Sequence, residues 1–201
     1  MKLAALILAG SQLAFLSACV ATPMDAQTAA STSIRAVTQP QDLQEIARVA
    51  TAMIDGDVCQ HIVTERALQH MLRSDPRDEW QAGDNYDVHE APFIHTKKTL
   101  IRLATLAPYP VDVNLWMPVP TTPDIQLVIR NKYNLSEFWN GELDQAMPPE
   151  MREVLQTGKT LTVQTKPEMI SVLAPVRNSL NEIVGLVEVV ASTTLPQHDE
   201  Q

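Results

Sequence analysis

At Pro108 and Pro110 the apolar spacing of this chain switches from three-and-four to two, and no other feature constrains its fold as much. Before the switch, Leu43, Ile46, Ala47, Val49, Ala50, Met53 and Ile54 recur at helical spacing, and Ile62, Ala67, Leu68 and Met71 continue the series. Pro40 with Asp42 and Glu45 suits a helix start, since carboxylates favour the positive end of the helix dipole. The pattern predicts one long helix from residue 41 to about residue 74, kinked at Gly56 and stopped by Pro76. A polar loop over residues 75–92, with Gly83-Asp84-Asn85 as a turn, leads to a second helix over 92–106.

After the switch, Val111-Asp112-Val113-Asn114-Leu115-Trp116-Met117 alternates as a strand with unlike faces should. A second strand is expected over 125–133, then short helices over 135–145 and 148–158, the latter capped by Gly158. Strands over 160–166, 170–177 and 183–192 complete the chain, with Asn178-Ser179-Leu180-Asn181 turning the last two into a hairpin. The expectation is an α+β domain over residues 40–194, with five antiparallel strands preceded by a long N-terminal helix and a second helix.

The first 18 residues follow other rules. Lys2, a short apolar run and small residues before a cysteine have the layout of a secretory signal. Leu16-Ser17-Ala18-Cys19 resembles a bacterial lipobox, which implies that Cys19 is acylated and begins the mature chain. Several acyl chains hold a protein on a membrane firmly where one does not. The resemblance therefore implies an extracytoplasmic, membrane-anchored lipoprotein on the periplasmic face. Val20, in place of an aspartate, favours the outer membrane by likeness to enteric lipoproteins. Residues 19–39, rich in Ala, Thr, Ser and Gln, read as a flexible spacer, and residues 195–201 as a frayed tail.

Composition narrows the function. The chain has 15 basic and 24 acidic residues, a net charge of −9, which argues against nucleic acid and against electrostatic docking on anionic lipid. With Cys19 acylated, Cys59 has no intramolecular partner, so no disulfide framework is expected. Nucleophile elbows, zinc-protease helices, phosphate loops and Cys-x-x-Cys motifs are missing from the sequence, and six glycines leave little room for a nucleotide cradle. No enzyme, cofactor or metal is expected. Asp57, His61 and Glu65, spaced by four, would share a face of the long helix, and they read as a solvated stripe rather than as ligands.

The phrases TGKTLTVQT and ISVLAPVRNSLNEIVGLVEVVAS, behind a long helix, resemble the PAS-like Cache family of extracytoplasmic sensor domains over residues 41–192. The resemblance implies a ligand held between the curved sheet and the short helices after the second strand. On the first strand Asp112, Asn114 and Trp116 share a face, Arg130 lies on the second and Glu188 interrupts an apolar run on the last. In a strand covered on both faces such groups either satisfy one another or grip a ligand, the alternative being edge or rim positions exposed to water. Tyr133, Phe138 and Trp139 join Trp116 as a candidate aromatic wall, with plain core as the alternative. The candidate ligand site is thus Asp112, Asn114, Trp116, Arg130, Tyr133, Trp139 and Glu188. Arg130 suits a carboxylate, so an amino acid or related metabolite is the expected ligand.

Two functions follow. The first is a lipid-anchored small-molecule sensor that signals through a separate partner, since no run after Cys19 reaches membrane-spanning length. The second is an interaction lipoprotein that dimerises or docks through its sheet and long helix, with no ligand.

Overall fold

A computed structural model describes residues 40–72, 88–132 and 144–193. Among the described residues four helices come first: α1 (Pro40–Met53), α2 (Gly56–Gln60), α3 (Glu65–Leu72) and α4 (Glu90–Ala104). They are followed by β1 (Asp112–Pro118), β2 (Asp124–Arg130) and β3 (Asp144–Ala146), then α5 (Pro149–Thr157), β4 (Leu161–Lys166), β5 (Met169–Arg177) and β6 (Ile183–Ser192). The signal, the spacer and the tail expected at the chain ends lie outside the described residues. No helix among the described residues is long and apolar enough to cross a membrane.

All strands belong to one antiparallel sheet in the order β3-β2-β1-β6-β5-β4. The α+β class is as expected, but the sheet has six strands rather than five. The sixth is β3, where the sequence suggested the end of a helix over 135–145. Asp144, Gln145 and Ala146 pair instead with Gln126, Ile125 and Asp124, supplying the hydrogen-bond partners that the outer edge of β2 would lack. The remainder of that expected helix lies outside the described residues.

The period of two acts on both faces. On β5, Val172, Ala174 and Val176 point to one side and Leu173 to the other; on β6, Val187, Val189 and Ala191 oppose Leu186. The first set meets Leu43, Ile46, Ala47 and Ala50 of α1 and Phe93, Leu100 and Leu103 of α4. The second meets Met151 and Val154 of α5. Sheet and helices thus make three layers, and the central strands are buried on both sides. Tyr109 fastens the approach to β1, its hydroxyl donating to Asp42 Oδ2 of α1 at 3.2 Å.

The long first helix is not continuous. It breaks after Met53, because the Asp55 carboxylate accepts from the backbone N–H groups of Asp57 (2.9 Å) and Val58 (3.3 Å) and so starts a new helix. A second break follows α2, where Val63 forms an isolated antiparallel bridge with Val88 and His89 N–H donates to the Ile62 carbonyl at 2.8 Å. Local capping and one strand-like pairing override an apolar pattern that continues across both breaks. Asp57, His61 and Glu65 therefore do not share one helix face. Asp57 Oδ2 instead accepts from Ser179 N–H at 2.9 Å, fastening α2 to the β5–β6 turn. Gly158 caps α5 at φ 67, as expected.

Gly56 does not kink a helix; it sits where α2 touches the backbone of β5. A Cβ there would collide with the Arg177 carbonyl and crowd Asn178 N. Both contacts are main chain and cannot swing aside. Gly56→Ala should therefore destabilise the fold by about 1–3 kcal/mol, the range for overpacking a filled site. Chemical denaturation would measure it, and an unchanged midpoint would show that α2 does not dock as described.

Candidate functional site

Three strands place one polar row on the α5 side of the sheet. Asn114 of β1 stands opposite Arg130 of β2 and opposite Glu188 of β6, so a cation, an amide and an anion line up across neighbouring strands. Adjacent strands lie about 4.8 Å apart, which puts the outer two backbones roughly 10 Å from each other. Trp116, two residues along β1, shares the face of Asn114. All four are among the seven residues put forward from the sequence as a candidate ligand site.

Glu188 is the centre of the row. It is only 8% exposed, yet it meets no cation among the described residues. Its Oε2 accepts from Trp116 Nε1 at 2.8 Å and from Asn114 Nδ2 at 3.1 Å. Its Oε1 accepts from the Ser171 hydroxyl at 3.1 Å, and Ser171 Oγ lies 3.4 Å from Thr165 Oγ1. A buried carboxylate is tolerable only when hydrogen-bonded, and three neutral donors meet that need here. A carboxylate oxygen has two lone pairs, so Oε2 is filled while Oε1 can take one more donor.

Asp112 plays a different part from the one its face suggested. It forms an ion pair with Lys132 at 2.8 Å, half-exposed at the rim of the sheet. Asn131, beside Lys132, ties the end of β2 to β1: its Oδ1 accepts from Val113 N–H at 3.0 Å and its Nδ2 donates to the Val111 carbonyl at 3.2 Å. Tyr133, Phe138 and Trp139 lie outside the described residues, so of the expected aromatic wall only Trp116 is placed. Ser171 and Thr165 were missed by the sequence reading. The available signal was one hydroxyl in the apolar run ISVLAPV, at the register that faces Glu188's side of the sheet.

Beside the row, α5 closes the same face. Ile125, Met151, Val154, Leu173 and Leu186 form an apolar cluster there, with Trp116 packed against it. A cavity of about 480 Å³ lies elsewhere, on the opposite side of the sheet, lined by Cys59, Val63, Leu68, Met117, Gln126 and Val184 among others. Among the described residues, no three His, Cys, Asp or Glu side chains are grouped to hold a metal ion.

Cys59, free and 1% exposed, has its thiol pushed up to about 12, chiefly by burial, with hydrogen bonding to Thr96 pulling it partly back. In the unfolded chain the thiol ionises near its ordinary value of 9.0. Because the folded value is the higher one, its contribution to stability is complete below pH 9 and declines as the pH rises from 9 towards 12. Unfolding titrations of the wild type and Cys59→Ala should diverge in that alkaline window, the wild type losing stability faster. Parallel curves would show that the thiol is not shielded.

In comparison with known proteins, no family model matches this chain and no curated protein matches it in sequence.

Proposed function

We propose that the chain is a lipid-anchored, extracytoplasmic binding domain for a small zwitterionic metabolite such as an amino acid, and that it acts through a separate partner protein. The observation that carries this reading is Glu188, a buried carboxylate held by three neutral donors with one acceptor position left on Oε1. Such a group is prepared for an ammonium. Arg130, two strands away in the same row, offers a planar two-pronged grip for a carboxylate. Glu188 serves the amine rather than Asp112, which is occupied by Lys132. A six-stranded antiparallel sheet with helices on both faces is compatible with the PAS-like Cache resemblance, as is the position of the row near α5.

A second reading rests on the apolar cluster under α5. Ile125, Met151, Val154, Leu173 and Leu186 fill that part of the face, as they would in an interaction lipoprotein whose sheet serves only to dimerise or dock. The two readings part at Arg130. Thermal-shift screening of the intact chain against amino acids, carboxylates and amines should find a stabilising zwitterion. Arg130→Ala should weaken its binding by about 1.5–3 kcal/mol, the value of a charged hydrogen bond. In the interaction reading no zwitterion stabilises the wild type, and the variant melts early, by about 3–5 kcal/mol where it breaks a buried pair.

The anchor has its own test. The wild-type protein should sediment with membranes, and Cys19→Ser should release it to the soluble fraction. A soluble wild type, or a variant that stays in the pellet, would remove the lipid anchor from this reading.

A further inference from the structure

The cavity on the helix side of the sheet has no part in the polar row, and its chemistry is of another kind. Its volume of about 480 Å³ falls within the range of small-molecule sites, which are mostly apolar with a few placed polar groups. Val63, Leu68, Met117, Ile183 and Val184 supply its apolar wall. Gln126 of β2 is the polar exception. It pairs in register with Met117 on one side and Asp144 on the other, while its neighbours Ile125 and Leu127 are buried apolar residues.

Gln126 is 3% exposed, lines the cavity, and its Oε1 has no hydrogen-bond partner among the described residues. A buried carbonyl left without a donor costs about 1–3 kcal/mol. A chain gains nothing from that cost if the position serves only packing, since a leucine would fill a similar volume without it. The charges around the cavity are few. Cys59 in its wall is a protonated thiol, and Glu182, exposed, already accepts from Asn178 Nδ2 at 2.8 Å through Oε2. No Lys, Arg or His is among the described lining residues, so an anion would enter without a counter-charge.

We infer that this cavity is a second binding site, for an uncharged, mostly apolar small molecule with an amide or hydroxyl head that hydrogen-bonds to Gln126. A carboxamide both donates and accepts, and its best complement is a group that does the same. The site is separate from the zwitterion row. It lies across the sheet, shares no residue with the row, and selects neutral ligands where the row selects charged ones.

Hexanamide and hexanoate, matched in chain length and different in charge, test the assignment. Both are titrated into the intact chain while methyl resonances of Met117, Leu68 and Val184 are followed by NMR. Hexanamide should shift these signals saturably, and hexanoate should not. Gln126→Leu should weaken hexanamide binding about threefold to tenfold, the equivalent of one neutral hydrogen bond, and should raise the melting temperature by removing the orphaned carbonyl. Ile183→Trp, which fills the cavity from a half-buried position, should abolish binding while β6 still folds. Equal shifts from hexanamide and hexanoate, no saturable shift from hexanamide, or unchanged affinity in Gln126→Leu would each overturn the proposal.

Discussion

Antiparallel pairing of β1 with β6 joins two parts of the sheet, each built from strands close together in sequence. On one side β1 and β2 make a hairpin; on the other, β4, β5 and β6 are connected by short turns. Among the described residues only the β1–β6 ladder crosses between them, from Asp112 opposite Val190 to Trp116 opposite Leu186. It closes a long stretch of chain, with Asn114 and Glu188 lying 74 positions apart. The entropy of that closure must be offset by what lies on both faces of the ladder. Val113, Leu115, Val187 and Val189 bury against α1 and α4, and Leu186 against α5.

The same ladder makes the polar row. Glu188 would be an unsupported charge in an apolar strand if β1 did not bring Asn114 and Trp116 within hydrogen-bond distance. β5 adds Ser171 from the other flank. The cost of burying the carboxylate is therefore tied to correct register: a slip by one residue would turn Asn114 and Trp116 to the opposite face and leave Glu188 without two of its donors. A polar group in a core can specify one arrangement in this way, because the wrong pairings are penalised more heavily than the right one is rewarded.

The two faces differ in chemistry because β2 is irregular against β1. The register shifts between Leu115 and Trp116, so Leu115 faces Ile129 while Trp116 faces Leu127, and Val128 is the extra residue. Beyond the shift, Gln126 stands beside Met117 on the helix side, and before it Arg130 stands beside Asn114 on the α5 side. One bulge thus sends an amide to one face and a guanidinium to the other. Bulges often re-aim side chains near functional sites in this manner.

How much of this was legible beforehand depended on the range of the interactions involved. The change of period at Pro108 and Pro110 located the start of the sheet and most strand ends after it, although β2 stops at Arg130 and not at 133, and Gly158 marked the cap of α5. These are properties of neighbours in sequence, carried by side-chain alternation and backbone preference. The face shared by Asp112, Asn114 and Trp116 followed from the same alternation. The break at Asp55, the bridge from Val63 to Val88 and the third strand at Asp144–Ala146 did not, because each depends on a cap or partner that outweighs a continuing apolar pattern. Nor could alternation say that Lys132 takes Asp112, that Ser171 completes the shell of Glu188, or that Gln126 faces a cavity. Which strand lies beside which, and where a bulge falls between them, is decided by packing over long separations, and only the tertiary structure settles it.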